Sequence, residues 1–259
     1  MKHTSIFFVL SFSFFFSSFS YAETPESKGL KIARMTEKAN EGFIGEESDM
    51  EMILINAHGD RIERKMNSIT KEIKNDGDKS LVTFLWPADV KGTKMLTWSH
   101  KEGSDDQWLY MPSHKRTRRI SSRSQTGSFM ASEFSYEDLG SQEIEKYKYK
   151  YIRDAKLNGR DTWVVEAYPK DKKSGYSKQV IWTDKDHKNP LKVEYYNRRS
   201  ELLKTAEFQN YQKIKKWWRP EKIEMKNHQT KKASILMWKN RKLGKKFKDS
   251  EFHQKSLSR

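Results

Sequence analysis

Residues 146–151 read Lys-Tyr-Lys-Tyr-Lys-Tyr. Successive side chains of a strand point to opposite faces, so this alternation sets three tyrosines inward and three lysines outward. A helix would scatter both sets around its circumference. Asn158-Gly159, a strong hairpin signal, joins this strand to a second over 162–168. Further strands are expected over 179–183, 191–197, 202–209, 217–226 and 233–238. Upstream, strand patterns fall at 50–54, 61–74, 81–86, 95–98 and 108–111, with Asn75-Asp76-Gly77-Asp78 and Gly103-Ser104-Asp105-Asp106 as turns. Between Met66 and Ile69 the period of two breaks, which predicts a bulge or a strand break. A single N-terminal helix is expected over 30–39, ended by Asn40-Glu41-Gly42. Many antiparallel strands at regular spacing mean a sandwich or a barrel.

Of the 8 Trp, 11 Tyr and 14 Phe, many belong to strands whose other face is charged. Such a sheet is apolar on one side and wet on the other, so its apolar face must be covered by helices or filled by ligand. Residues 1–22 read as a secretion signal: Lys2 and His3 precede an apolar run over 6–19, and Ser20-Tyr21-Ala22 is a small-x-small cleavage site. The mature chain is expected to begin at Glu23, with 23–259 as one domain. The absence of cysteine excludes disulfides, thiolate metal sites, a thiol nucleophile and a lipid-bearing Cys. A soluble periplasmic protein is therefore expected. The formal charge of +16 points to an anionic partner or a solvated basic face. Export makes nucleic acid a poor candidate and anionic lipid headgroups a better one.

The most specific stretch is 107–139, QWLYMPSHKRTRRISSRSQTGSFMASEFSYEDL. An aromatic strand stops at Pro112, a basic strand follows, and a Ser/Gly loop leads into Phe129-Met130-Ala131-Ser132-Glu133-Phe134-Ser135-Tyr136-Glu137-Asp138-Leu139. In block order and spacing this resembles the periplasmic LolA-like outer membrane lipoprotein-sorting family. The resemblance implies a mainly β fold, a strongly curved antiparallel sheet forming an unclosed half-barrel with helices over its concave face. It also implies a carrier that binds lipoprotein acyl chains or another lipid for transfer towards the outer membrane. Transient contact with a membrane surface and a resistance-nodulation-division (RND) type exporter as partner belong to the same expectation. The alternative is a sensor or adaptor that holds a protein segment on the same fold; an enzyme acting on lipid or glycan is a weaker third.

Trp86, Trp98, Trp108, Tyr110, Phe129, Phe134, Tyr136, Leu139, Trp163 and Trp182 are the candidate lining of a hydrophobic cavity; an ordinary packed core would use the same residue types. Residues 133–139 read as a short helix, a lid or a fixed plug, capped by Ser132, with Ser135 and Asp138 as later alternatives. Lys115, Arg116, Arg118, Arg119 and Arg123 form a candidate basic contact surface, open to three readings: solvated strand face, headgroup contact or partner docking. No G-x-S-x-G, H-E-x-x-H, P-loop or G-x-G-x-x-G motif is present. The histidines at 58, 100, 114, 187, 228 and 253 are scattered and read as surface residues. Neither catalysis nor a metal or cofactor is expected.

Overall fold

The computed structural model describes residues 23–258; the expected signal, 1–22, lies outside them. Thirteen strands form one antiparallel sheet. The first meander is β1 (Gly45–Ile55), β2 (Arg61–Lys71), β3 (Lys79–Trp86), β4 (Lys94–Trp98), β5 (Asp106–Met111) and β6 (Arg116–Ile120). The second is β7 (Tyr147–Leu157), β8 (Arg160–Pro169), β9 (Tyr176–Asp184), β10 (Pro190–Asn197), β11 (Leu202–Ile214), β12 (Trp217–Asn227) and β13 (Ala233–Leu243). They join where β1 pairs with β13. The edges are therefore β6 and β7, at opposite ends of the order, and the sheet stays unclosed. The chain must travel from one edge to the other between Ile120 and Tyr147. It does so in a series of short 3₁₀ turns.

Every expected strand is present. Asn158 and Gly159 both take positive φ, 51° and 78°, as a type I′ hairpin turn requires. β2 runs unbroken, and its irregularity falls between Lys65 and Met66 against β3 rather than between 66 and 69. The helix, α1 (Pro25–Asn40), begins earlier than its apolar spacing suggests. Thr24 caps it by accepting the Ser27 N–H, and Pro25 enters at the first turn, where no N–H is needed.

Tyr147, Tyr149 and Tyr151 share the face that α1 covers, and Lys148 and Lys150 are exposed on the other. Lys146 differs from expectation. It ends a 3₁₀ turn ahead of β7 and turns inward to pair with Asp105. Contact between α1 and β7 is close at Gly29, where an added Cβ would stand 2.8 Å from the backbone nitrogens of Lys150 and Tyr151. Gly29→Ala is thus expected to lift the helix and lose about 1–3 kcal/mol through overpacking. Denaturant unfolding checks this, and an unchanged midpoint would contradict the contact.

The concave face carries the main core. Met50, Met52, Met66, Phe84, Met95 and Leu109 come from the first meander, and Val193, Tyr195, Ala206, Met225 and Leu236 from the second. Phe129 and Phe134 of the crossing segment fill the space between. A second cluster lies on the opposite face, where Phe252 and Leu257 of the C-terminal segment cover Leu96 and Trp108. β4 and β5 are consequently buried on both faces.

Candidate functional site

Two features share the concave side: a plug made by 129–139 and an open cavity beside it. Backbone bonds shape the plug. Phe129 N–H donates to the Phe134 carbonyl, and the Ser132 hydroxyl donates to the Phe129 carbonyl while accepting the Phe134 N–H. Met130 and Ala131 take positive φ, 49° and 63°. Of the short helix expected over 133–139, only a 3₁₀ turn, Tyr136–Leu139, forms, and another such turn, Phe129–Ala131, precedes it. Ser135 caps the second, its N–H donating to the Asp138 carboxylate at 2.7 Å.

Several sheet residues hold the plug; Gln107 of β5 donates to the Tyr136 carbonyl at 2.8 Å, and three more anchors come from β13, β2 and β11. On β13, the Ser234 hydroxyl accepts the Glu133 N–H. On β2, Arg64 donates to the Met130 carbonyl. The third anchor is Lys204 on β11, whose side chain is 5% exposed. Its ammonium lies 2.5 Å from Asp138, itself 5% exposed, and donates to the Glu133 carbonyl at 3.0 Å. The rings of Tyr176 and Tyr195 each lie 5.3 Å from that ammonium, and Tyr176 donates its hydroxyl to Asp138. Such a pair repays its desolvation only with this many hydrogen bonds. Burial, with the nearby carboxylates adding, holds both tyrosine hydroxyls far above their ordinary range.

The cavity lies between α1 and strands β8–β12, with a volume of about 1500 Å³. That exceeds the ordinary small-molecule range of roughly 300–1,000 Å³. Its apolar wall includes Ile32 of α1, Ile181, Val193, Phe208, Ile223 and, at the plug, Phe134. Trp218 lines it too and stacks on His187, ring centroids 4.5 Å apart. His187 is therefore not the surface histidine expected; its side chain is 8% exposed. At the rim, Arg219 donates to Asn40 at the end of α1 and lies 3.4 Å from Glu46.

Asp78, also at the cavity, is pushed up to about 7 by burial, with Glu143 and Glu72 adding. A carboxyl raised in the fold favours the protonated folded state. Its contribution is present below the ordinary value near 4 and is lost as pH rises through about 7. Asp78→Asn should flatten the stability profile across that window and gain stability above it. Parallel pH-dependent unfolding curves for the two proteins would contradict this.

The structure divides the expected aromatic set. Phe129, Phe134, Tyr136 and Leu139 come together in the plug. Of the ten, Phe134 alone lines the large cavity. Trp98, Trp108 and Tyr110 pack on the other face, and the Trp98 indole donates to the Phe252 carbonyl at 2.7 Å. Trp86 is half exposed at the end of β3. Trp163 and Trp182 lie under lysines, with Lys188 4.8 Å and Lys192 4.3 Å from their rings.

The basic set divides as well. Lys115, Arg116, Arg118 and Arg119 are exposed on or beside the edge strand β6, where Arg119 pairs with Asp106. Charge along an open edge discourages a further strand from adding. Arg123 stands apart, in a second hollow. The cavity-forming aliphatics of β9, β10 and β12 went unmarked in the sequence. Their inward alternation was the available signal.

An open curved sheet, plugged and partly hollow on its concave side, is an unclosed half-barrel, and the chain belongs to the LolA-like outer membrane lipoprotein-sorting family. A family model described only as uncharacterized-protein-like matches residues 76–259. The chain is 46% identical to a crystallised domain from Vibrio parahaemolyticus described as an outer membrane lipoprotein-sorting protein. The match covers 90% of this chain and all of that one, with a TM-score of 0.89. A DUF1329 family protein from Desulfovibrio piger is 29% identical over 90% of this chain and 99% of its own, TM-score 0.86. A LolA-superfamily protein from Nitrosomonas europaea shares the fold at 20% identity, covering 88% of this chain and 98% of its own, TM-score 0.71. No curated protein matches in sequence.

Proposed function

We propose that this protein is a periplasmic carrier. It would hold the acyl chains of a lipoprotein, or of another lipid, in the cavity between α1 and the concave sheet and carry them towards the outer membrane. The observation that carries this is the apolar, open cavity of about 1500 Å³. Covering about ten methylenes there would contribute about 8 kcal/mol at ~0.8 each, before the cost of association is subtracted. That exceeds the few kcal/mol on the order of which a buried ion pair resists disruption, so chain burial can offset movement of the plug. The sorting-protein description of the 46%-identical domain supports the same reading. Residues 23–259 act in it as one domain, released after Ala22. The family resemblance supports an RND-type exporter as partner, which crosslinking in intact periplasm would capture. No catalytic step is needed.

The test is a fluorescent fatty-acid probe. Binding is expected for the wild-type chain. Ile181→Trp, which places a ring in the cavity, should weaken it at least tenfold while the protein stays folded. Absence of wild-type binding would favour the adaptor alternative, in which the same concave face holds a protein segment.

A further inference from the structure

Beyond Phe134 lies a second hollow of about 1010 Å³, and Phe134 lines both. Its walls are the segment after β6, the β8–β9 loop, and the turns after β10 and β12. Cations dominate it: Arg123, Lys172, Lys173, Arg198 and Arg199 are all exposed. Among the described residues none of the five forms an ion pair. Lys173 donates to the Ser122 hydroxyl, and Arg198 to the Ser174 and Lys173 carbonyls. These neutral contacts orient the two charges without cancelling them.

Three carboxylates also face the cleft, each already engaged by neutral donors. Glu133 accepts the Asn227 amide at 2.7 Å and Glu201 the Asn197 amide at 2.9 Å. Glu137 accepts the Ser174 hydroxyl and the Gly175 N–H, and burial raises it above the ordinary carboxylate range. The buried Lys204 lies at the floor, its charge met by Asp138 on the cavity side. Tyr176 on the cleft side packs on Tyr195 on the cavity side, ring centroids 5.0 Å apart. A cationic hollow and an apolar one thus adjoin across one phenylalanine and one ion pair. That is the layout an amphiphile with a negative head and an apolar tail would need, since guanidinium and ammonium groups bind phosphate oxygens strongly.

We infer that the cleft takes the phosphate of a net-anionic lipid headgroup, while the chain of the same molecule runs past Phe134 into the apolar cavity. This rests on the carrier reading and names its ligand class. The experiment is calorimetric titration of the mature chain with three monomeric probes: a lysophosphatidylglycerol, a lysophosphatidylcholine of the same chain length, and glycerol phosphate. The lysophosphatidylglycerol is expected to bind at least tenfold more tightly than the lysophosphatidylcholine, and glycerol phosphate far more weakly than either. Lys172→Glu combined with Arg199→Glu, at two side chains without an ion-pair partner, should bring the two lipids within twofold of each other. The affinity for lysophosphatidylcholine should fall less, because its choline already offsets the same phosphate. Equal wild-type affinities for the two lipids, or a preference that survives the double variant, would overturn the headgroup site and leave the carrier reading standing. Glycerol phosphate binding as tightly as the anionic lipid would make the cleft a free-phosphate site and overturn the inference. Failure of both lipids to bind would overturn the carrier reading along with it.

Discussion

Lys204→Met is expected to destabilise the protein by about 3–5 kcal/mol, the cost of leaving a buried charge without its partner. Asp138 would keep only the Tyr176 hydroxyl and the Ser135 N–H. Around it lie two tyrosines that are themselves almost wholly buried. Pairing Lys204→Met with Asp138→Asn removes both charges and should recover much of the loss. This makes the ion pair a better determinant of where the plug sits than of how stable the fold is. Denaturant unfolding of the single and double variants measures the coupling. A single variant as stable as wild type would show that the pair does not anchor the plug.

Phe134→Ala is the second large effect. The side chain is 4% exposed, lies in the concave core and separates the two hollows. Truncating a buried phenylalanine costs about 3–5 kcal/mol, part of it from the cavity left behind. Here the new space would join two existing hollows. Fatty-acid probe binding, compared where both proteins are folded, should therefore change in rate more than in affinity, with entry and exit both faster. Stability within about 1 kcal/mol of wild type, where a loss of this size is expected, would place Phe134 outside the packed core.

Much of the fold was legible because its signals are local. Alternation such as that at Tyr147, Tyr149 and Tyr151 reports a face directly, and Asn158-Gly159 reports a turn with its backbone geometry. The site was less legible because its determinants are distant in the chain. Lys204 looks like any strand lysine until Asp138, 66 residues away, is placed against it. Trp98 and Trp108 belong to strands that are apolar on both faces, and only the return of Phe252 and Leu257 shows which face covers them. Aromatics are the more conspicuous residues of the strands, whereas Ile181, Val193 and Ile223 form much of the cavity wall. In a β-sheet the smaller inward residues leave the space that larger ones fill. A hollow is therefore marked by modest side chains, which carry a weaker signal than tryptophan.

A carrier of this kind would leave the cell with lipid in its concave cavity. Native mass spectrometry of the protein purified in detergent-free buffer from the cells that make it is the test. A population heavier than the mature chain by the mass of a lipid or of a lipoprotein's acylated segment is expected, and it should be reduced in Ile181→Trp. A single species at the mass of the bare chain, unchanged after incubation with anionic and zwitterionic lysophospholipids, would contradict the carrier reading.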